Sequence, residues 1–575
     1  MKVISIIPIH LFLFLHCTHA TFLPKDDAPD TPRDVHNISP NNSIRWTRCN
    51  LRLLNYKDVE YSDDVEDSKN LEDYGDLENN EAFECGNLTV PLDYTGKYSS
   101  NTTTLNLIKL KATEKSPKGS IILNFGGPGA SGIDDLRAYT REDASRLVGG
   151  QYDLISFDPR GTGKTLVPPS GEGFPSQMLK ELFYAFQNSS DFETGQSLRD
   201  AWDYVSTFTE SFLAKDTDLR RFRGTAFVAR DIAEIATALG EGNRINYWGM
   251  SYGTVLGQVL ASMFPDRIER MLLEGNLLAD DYVKNLGAHA TQDAGKALYH
   301  FYDLCMAAPN NTCHSATKLP KNRDEFLKVL DRVFMVCTGV GGGLRRFKSL
   351  PLNAWFFLSL YGLQGYYMMD ELIATALDGN RSNCPQVDLD PLAKSATPWN
   401  PQFELAHLST WCSDTTFRPE TVEELLKFPP LHEGDQALDN PFYLTALLPR
   451  LVCSQWIHAA EPINLTSLSR VETKNPILLI NGKYDPITPL GHARKISARF
   501  PGSQLVVGGG VGHASSVSPY GCPRIGEIVR RYFTTGELPL PKTTCEPGLN
   551  AFEVIESMRG KGPEPTGKRK IPILL

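Results

Sequence analysis

This sequence predicts an α/β fold: a mostly parallel sheet flanked by helices, with a large helical cap inserted into it. Three observations predict it. Short apolar runs alternate with helix-patterned segments from about residue 119 to 275, the arrangement that builds a parallel sheet. The alternation stops over residues 280–470, where helix-like stretches and six cysteines occur without a strand–helix repeat. It resumes at residues 476–481 (PILLIN) and 504–507 (QLVV). The expected divisions are a leader over 1–20, a flexible acidic segment over 21–80, the first part of the core over 81–279 and the cap over 280–470. The rest of the core follows over 471–550, then a tail over 551–575.

The chain has 575 residues and a formal net charge of −10. Phosphate backbones need a basic face, so no nucleic-acid partner is expected. Much of the acidic excess lies in residues 58–81 (DVEYSDDVEDSKNLEDYGDLENNE), which read as solvated chain rather than a cation site. Residues 1–20 read as a signal peptide. Lys2 precedes an apolar stretch over 3–15 that is too short to span a bilayer, and Thr18-His19-Ala20 suits a signal peptidase. No later segment is long and apolar enough to cross a membrane. Removing the leader takes Cys17 with it and leaves ten cysteines, which fits five disulfides in an oxidising compartment. Loop economy favours Cys49–Cys85, Cys305–Cys313 and Cys522–Cys545, leaving Cys337, Cys384, Cys412 and Cys453. None has C-x-x-C spacing, so no zinc or other metal is expected, and no cofactor. Eight N-x-S/T sequons, at Asn37, Asn41, Asn87, Asn101, Asn188, Asn310, Asn380 and Asn464, agree with a secreted glycoprotein.

Residues 85–94 and 104–110 are an expected antiparallel hairpin across a polar turn. Buried strands are expected at 119–125 (GSIILNF) and 152–158 (YDLISFD). Residues 225–239 carry Val228, Ile232, Ile235, Ala236 and Leu239 at helical spacing. A strand around Ile245 and Tyr247 runs into a helix over 254–263, and 267–275 is the next strand.

The chemistry gathers at the ends of these strands. Gly249-Met250-Ser251-Tyr252-Gly253 has the G-x-S-x-G form of a nucleophile elbow, between a strand and a helix. A serine on so sharp a turn takes strained backbone angles, so the positions two before and two after it must be small. In return its Oγ stands clear of the sheet and the next N–H faces a developing oxyanion. A base and an orienting carboxylate should follow on loops after later strands. PILLIN leads to Asp485, and QLVV leads through a glycine-rich turn to His513. Ser251, Asp485 and His513 are therefore the expected catalytic residues, while His492 and His458 read as structural. The second oxyanion amide should come from the glycine loop after residues 119–125, which makes Gly126 or Gly127 the partner of Tyr252.

Two other motifs compete for these loops. Gly127, Gly129 and Gly132 match the dinucleotide-gripping G-x-G-x-x-G, and Asp158 ends the next strand where a ribose-binding acid would lie. That reading leaves the elbow, the acid loop and the histidine loop unexplained, whereas an oxyanion loop joins all of them. The run from Asp158 to Thr165 resembles the end of a P-loop, but its first glycine position is Asp158, so the motif fails.

In order, GGPGASG, FDPRGTG, WGMSYGT, NGKYDPITP and GGGVGH resemble the secreted tripeptidyl aminopeptidases, relatives of proline iminopeptidase in the α/β-hydrolase fold. The resemblance runs from about residue 85 to 545 and includes Cys453 to Trp456, Cys522 and Cys545. It implies Ser251, Asp485 and His513 as a triad, with Tyr252 and Gly126 or Gly127 supplying oxyanion amides. The chain departs from the iminopeptidase pattern at Phe125, where a His usually precedes G-G-P-G, and at Glu274-Gly275-Asn276.

The expected activity is release of di- or tripeptides from the free N-termini of peptide substrates. Such an enzyme needs an acidic group to hold the substrate ammonium, and Asp280 and Asp281, where the cap begins, are candidates. A carboxylesterase on the same fold is the alternative enzyme, and a catalytically inactive binding protein is the alternative class.

Overall fold

The computed structural model describes residues 43–49, 82–167, 196–213, 218–285, 289–339, 350–382, 384, 401–426, 447–454, 456–514 and 521–560. One sheet contains β1 (Thr47–Arg48), β2 (Phe83–Pro91), β3 (Thr102–Leu110), β4 (Ser120–Asn124), β5 (Asp153–Phe157), β6 (Ile245–Met250), β7 (Ile268–Glu274), β8 (Leu478–Gly482), β9 (Gln504–Gly508) and β10 (Thr544–Cys545). Their spatial order is β1-β2-β3-β5-β4-β6-β7-β8-β9-β10. The β1–β2, β2–β3 and β3–β5 pairs are antiparallel, and every pair from β5–β4 to β9–β10 is parallel.

The parallel strands have largely apolar centres because helices cover both faces. Helices α1 (Gly132–Leu136) and α2 (Arg141–Val148) follow β4, α3 (Gln196–Leu213) and α4 (Thr225–Ala238) follow β5, and α5 (Tyr252–Met263) follows β6. Ile122, Ile155, Tyr247, Met271, Leu273 and Leu479 pack on α4 and α5. Ile121, Leu123, Leu154, Trp248, Leu272, Leu478 and Ile480 face the other way, towards α1 and α2. Period-two alternation thus divides one apolar run between two cores.

Between β7 and β8 the α-helices among the described residues are α6 (Ala279–Asn285), α7 (Ala294–Met306), α8 (Phe326–Thr338), α9 (Leu350–Ser359), α10 (Leu363–Leu377), α11 (Pro401–Asp414), α12 (Val422–Leu426) and α13 (Leu447–Cys453). The core is completed by α14 (Leu490–Arg499) and α15 (Pro523–Thr535), and the last helix is α16 (Ala551–Gly560). Two apolar clusters organise the helical layer, one of α7 to α10 and one of α11 to α13.

Several expectations change. Residues 551–560 are not tail: Ala551, Phe552 and Ile555 of α16 are buried in the cluster of α7 to α10. α3 lies within the expected first part of the core, yet its Ala201 and Val205 pack with α11 to α13. β1 falls inside the segment expected to be flexible, with Ile44 and Cys49 buried beside it. The acidic run at 58–81 lies outside the described residues. Neither two-residue edge strand carries enough alternation to be read from sequence.

The ten cysteines join as Cys49–Cys85, Cys305–Cys313, Cys337–Cys384, Cys412–Cys453 and Cys522–Cys545. The loop after β5 is held by a buried ion pair. Arg160 Nε donates to Asp231 Oδ2 at 2.7 Å and Nη2 to Oδ1 at 2.9 Å, with both side chains 0% exposed. Arg160 also donates to the carbonyls of Pro91 and Leu92, and Tyr94 OH donates to Asp231. One guanidinium therefore ties β2, the loop after β5 and α4 together at the sheet edge that carries the site.

Candidate active site

β6 and α5 meet at Ser251, whose φ of 55° and ψ of −123° are the strained angles the elbow requires. Its flanking glycines are sterically necessary. A Cβ on Gly253 would lie 2.5 Å from the Asn124 carbonyl, and one on Gly249 would strike Gly253. The turn is closed by Ser251 N–H donating to Glu274 O at 2.9 Å and Thr254 N–H to Ser251 O at 2.8 Å.

Asp485 and His513 meet from two loops. His513 Nδ1 lies 3.0 Å from Asp485 Oδ1 and 2.9 Å from Oδ2, and both residues are buried. Asp485 also accepts N–H bonds from Ile487, Thr488 and Ala514 at 3.0, 2.8 and 3.2 Å. Burial pushes its carboxyl up, but the imidazole and these donors outweigh burial and hold it below the usual carboxylate range. His513 Nε2 is buried, with no hydrogen-bond partner among the described residues. The ring lies over the end of β7: a Cβ on Gly275 would be 3.3 Å from His513 Cε1. Gly275 directly follows Glu274, the acceptor of the Ser251 amide. The three expected residues therefore converge at the carboxyl ends of β6, β8 and β9.

The glycine loop after β4 crosses this point. A Cβ on Gly126 would be 2.6 Å from Met250 O and 3.2 Å from Tyr252 N. Gly126 N–H already donates to Asn124 Oδ1 at 3.2 Å. Among the described residues no hydrogen bond engages the Gly127 or Tyr252 amide, so of the two expected glycines Gly127 is the one with a free donor. Asp158 braces the loop, accepting from the Ser131 hydroxyl at 2.7 Å and from Ile133 N–H at 3.5 Å. A Cβ on Gly132 would strike Phe157. The residues of the dinucleotide-like and P-loop-like motifs thus serve to hold the loop.

The amine-binding expectation is corrected. Asp280 pairs with Arg499 Nη1 at 2.6 Å, and Asp281 lies 2.7 Å from His289 Nδ1. Side-chain partners already occupy both carboxylates, so neither presents an uncommitted anion to a substrate. His492 is buried in α14, and its Nδ1 accepts from Leu278 N–H at 3.4 Å, a structural role.

Sequence reasoning missed three cap residues that touch these loops. Tyr361 O accepts the His513 N–H at 3.0 Å, and a Cβ on Gly512 would strike that carbonyl. His407 Nδ1 is 2.9 Å from Pro128 O in the glycine loop. Asp414 accepts from Thr225 N–H at 2.9 Å and Tyr282 OH at 3.1 Å, and burial pushes its carboxyl up to about 6. The available signal was the seven-residue spacing of His407 and Asp414, which puts both towards one side of a helix.

Residues 119–297 match the family model described as alpha/beta hydrolase fold, and residues 440–545 match the one described as TAP-like protein. A tripeptidyl aminopeptidase of Streptomyces lividans is 25% identical over 473 residues, covering 81% of this chain and 84% of that one. Serine protease Hip1 of Mycobacterium tuberculosis is 29% identical over 250 residues, covering 38% of this chain and 45% of that one. Carboxylesterase B of Mycobacterium tuberculosis is 25% identical over 513 residues, covering 80% and 86%. The chain is a serine hydrolase of the α/β-hydrolase fold, homologous to the tripeptidyl aminopeptidases.

Proposed function

We propose that this is a secreted exopeptidase that releases di- or tripeptides from free N-termini by acyl transfer to Ser251. The buried Asp485–His513 pair, beside a strained serine at the end of β6, carries the reading. His513 Nε2 takes the Ser251 proton as Oγ attacks the scissile carbonyl, and Asp485 stabilises the resulting imidazolium. The Gly127 and Tyr252 amides receive the oxyanion. Collapse of the tetrahedral adduct breaks the C–N bond, and His513 returns the proton to the leaving amine. Water then repeats the sequence on the acyl-enzyme, releasing the peptide acid and Ser251.

The exopeptidase part is supported by the tripeptidyl aminopeptidase relatives and tested by substrate. An α-ammonium entering a partly dry pocket loses hydration and recovers it from a paired anion. An acylated amine leaves that anion unpaired, at a cost of about 2–5 kcal/mol. Free-amine tripeptide p-nitroanilides should therefore exceed their N-acetyl counterparts in kcat/KM by about tenfold or more. Equal rates would remove the exopeptidase reading. The similarity to carboxylesterase B supports a second reading, which faster cleavage of simple esters than of any peptide would favour.

Secretion is supported by the five disulfides and by exposed asparagines at all five sequons among the described residues, Asn87, Asn101, Asn310, Asn380 and Asn464. No helix among the described residues is long and apolar enough to cross a membrane. The mature chain should begin near Thr21, lose apparent mass on deglycosylation and show almost no free thiol when denatured without reductant. Several titratable thiols would contradict the disulfide framework.

A further inference from the structure

We propose that α11 of the cap holds both oxyanion amides in place, with His407 and Asp414 as positioning residues for the reaction at Ser251. The inference rests on the acyl-transfer reading above.

The two residues act on opposite sides of the reacting centre. Burial holds the His407 ring's pKa to about 4, so the ring is neutral, and its Nδ1–H donates to Pro128 O at 2.9 Å. The glycine loop lies flush against the helix. A Cβ on Gly129 would come within 2.7 Å of His407 N and 2.8 Å of Phe403 O, and one on Gly127 within 3.3 Å of Phe403 Cε2. The helix thus bounds the loop with its backbone at Gly129 and with the Phe403 ring at Gly127.

Asp414 grips the elbow through hydroxyls. It accepts from Thr225 Oγ1 at 2.5 Å, and Thr225 Oγ1 is 2.5 Å from Tyr252 OH. When Asp414 is ionised, the Thr225 proton must point to it, so Tyr252 donates to Thr225. The chain of bonds then runs in one direction, from the residue that follows Ser251 to a carboxylate of the cap. Gly224, at the N-cap of α4, has no side chain to cap the helix. Asp414 takes that place by accepting the Thr225 N–H at 2.9 Å. Trp411 stacks on Tyr282 at 5.7 Å, and Cys412–Cys453 anchors the same end of α11.

A cap that only binds peptide would leave the turnover of a small ester unchanged when α11 is altered. A cap that positions the amides would not, because every acyl substrate uses them. The test measures kcat and KM for p-nitrophenyl acetate and a free-amine tripeptide p-nitroanilide in His407→Ala, Asp414→Ala, Asp414→Asn and Tyr252→Phe. Removing an oxyanion donor outright costs about 10²–10³ in kcat. Displacing one should lower kcat about tenfold or more on both substrates, with KM within about threefold. Asp414→Asn keeps an oxygen for the Thr225 N–H and should retain more activity than Asp414→Ala. Should Asp414→Ala fail to fold, Asp414→Asn and Tyr252→Phe decide. Unchanged kcat on the acetate ester in folded His407→Ala and Asp414→Asn would overturn this inference alone. Near-normal turnover in Ser251→Ala would remove the acyl-transfer reading and this inference with it.

Discussion

Replacing Ser251 with Ala should lower kcat by about three or more orders of magnitude while leaving the melting temperature close to that of the parent. The hydroxyl makes no capping bond to α5, so its loss leaves the start of that helix intact. The strained turn is held instead by the backbone bonds of Ser251 to Glu274 and Thr254. His513→Ala should cause a comparable loss, because it removes the proposed base, whose buried Nε2 has no hydrogen-bond partner among the described residues. Asp485→Asn should cost as much or less. It keeps one acceptor oxygen for the amides of Ile487 and Thr488, but removes the charge that stabilises the imidazolium. A serine-directed phosphonate should label Ser251 alone. Ser251→Ala with near-normal turnover would exclude the elbow as the site of reaction.

Arg160→Met should destabilise the fold by about 3–5 kcal/mol, because it leaves Asp231 buried and charged without its partner. That is a large share of the roughly 5–15 kcal/mol that holds a domain together. The effect should show as a lower urea midpoint and a lower yield of folded protein. Asp231→Asn should cost a similar amount for the converse reason, since Arg160 has 0% exposure and no water to turn to. The pair of changes Arg160→Met with Asp231→Leu should recover part of the loss, as neither charge then remains buried. An unchanged midpoint in Asp231→Asn would show that the carbonyls of Pro91 and Leu92, rather than Asp231, are what matter to this arginine.

The elements that sequence reading located share a property: their signals are local. The uninterrupted burial of β4, β6 and β8 follows from a sheet covered on both faces, and the G-x-S-x-G turn follows from the collisions a Cβ would suffer beside Ser251. Asp485 and His513 could be named because each lies on a short loop after a recognisable strand. The choice between Gly126 and Gly127 could not be made that way, since it depends on whether the Asn124 side chain reaches a backbone amide.

Asp280 and Asp281 show where such reading fails. Chain position put two carboxylates at the entrance of the cap, but Arg499 and His289 reach them from elsewhere. No periodicity reports that Arg499, more than two hundred residues on, reaches Asp280, or that the chain turns back within eight residues to set His289 on Asp281. The role of FDPRGTG was hidden for the same reason: Asp231 and Tyr94, far from it in the chain, complete the bonds that occupy its arginine.

From local pattern alone, then, came the strand–helix alternation, the elbow and the loops that carry Asp485 and His513, because steric and hydrophobic periodicity act over a few residues. Chain folding alone could bring α3 and α16 onto the helical layer, seat His407 against Pro128, and join Asp414 through Thr225 to Tyr252. These contacts are non-local: the apolar ones bury surface only once the chain has folded, and the polar ones gain strength in the low-dielectric space that burial creates.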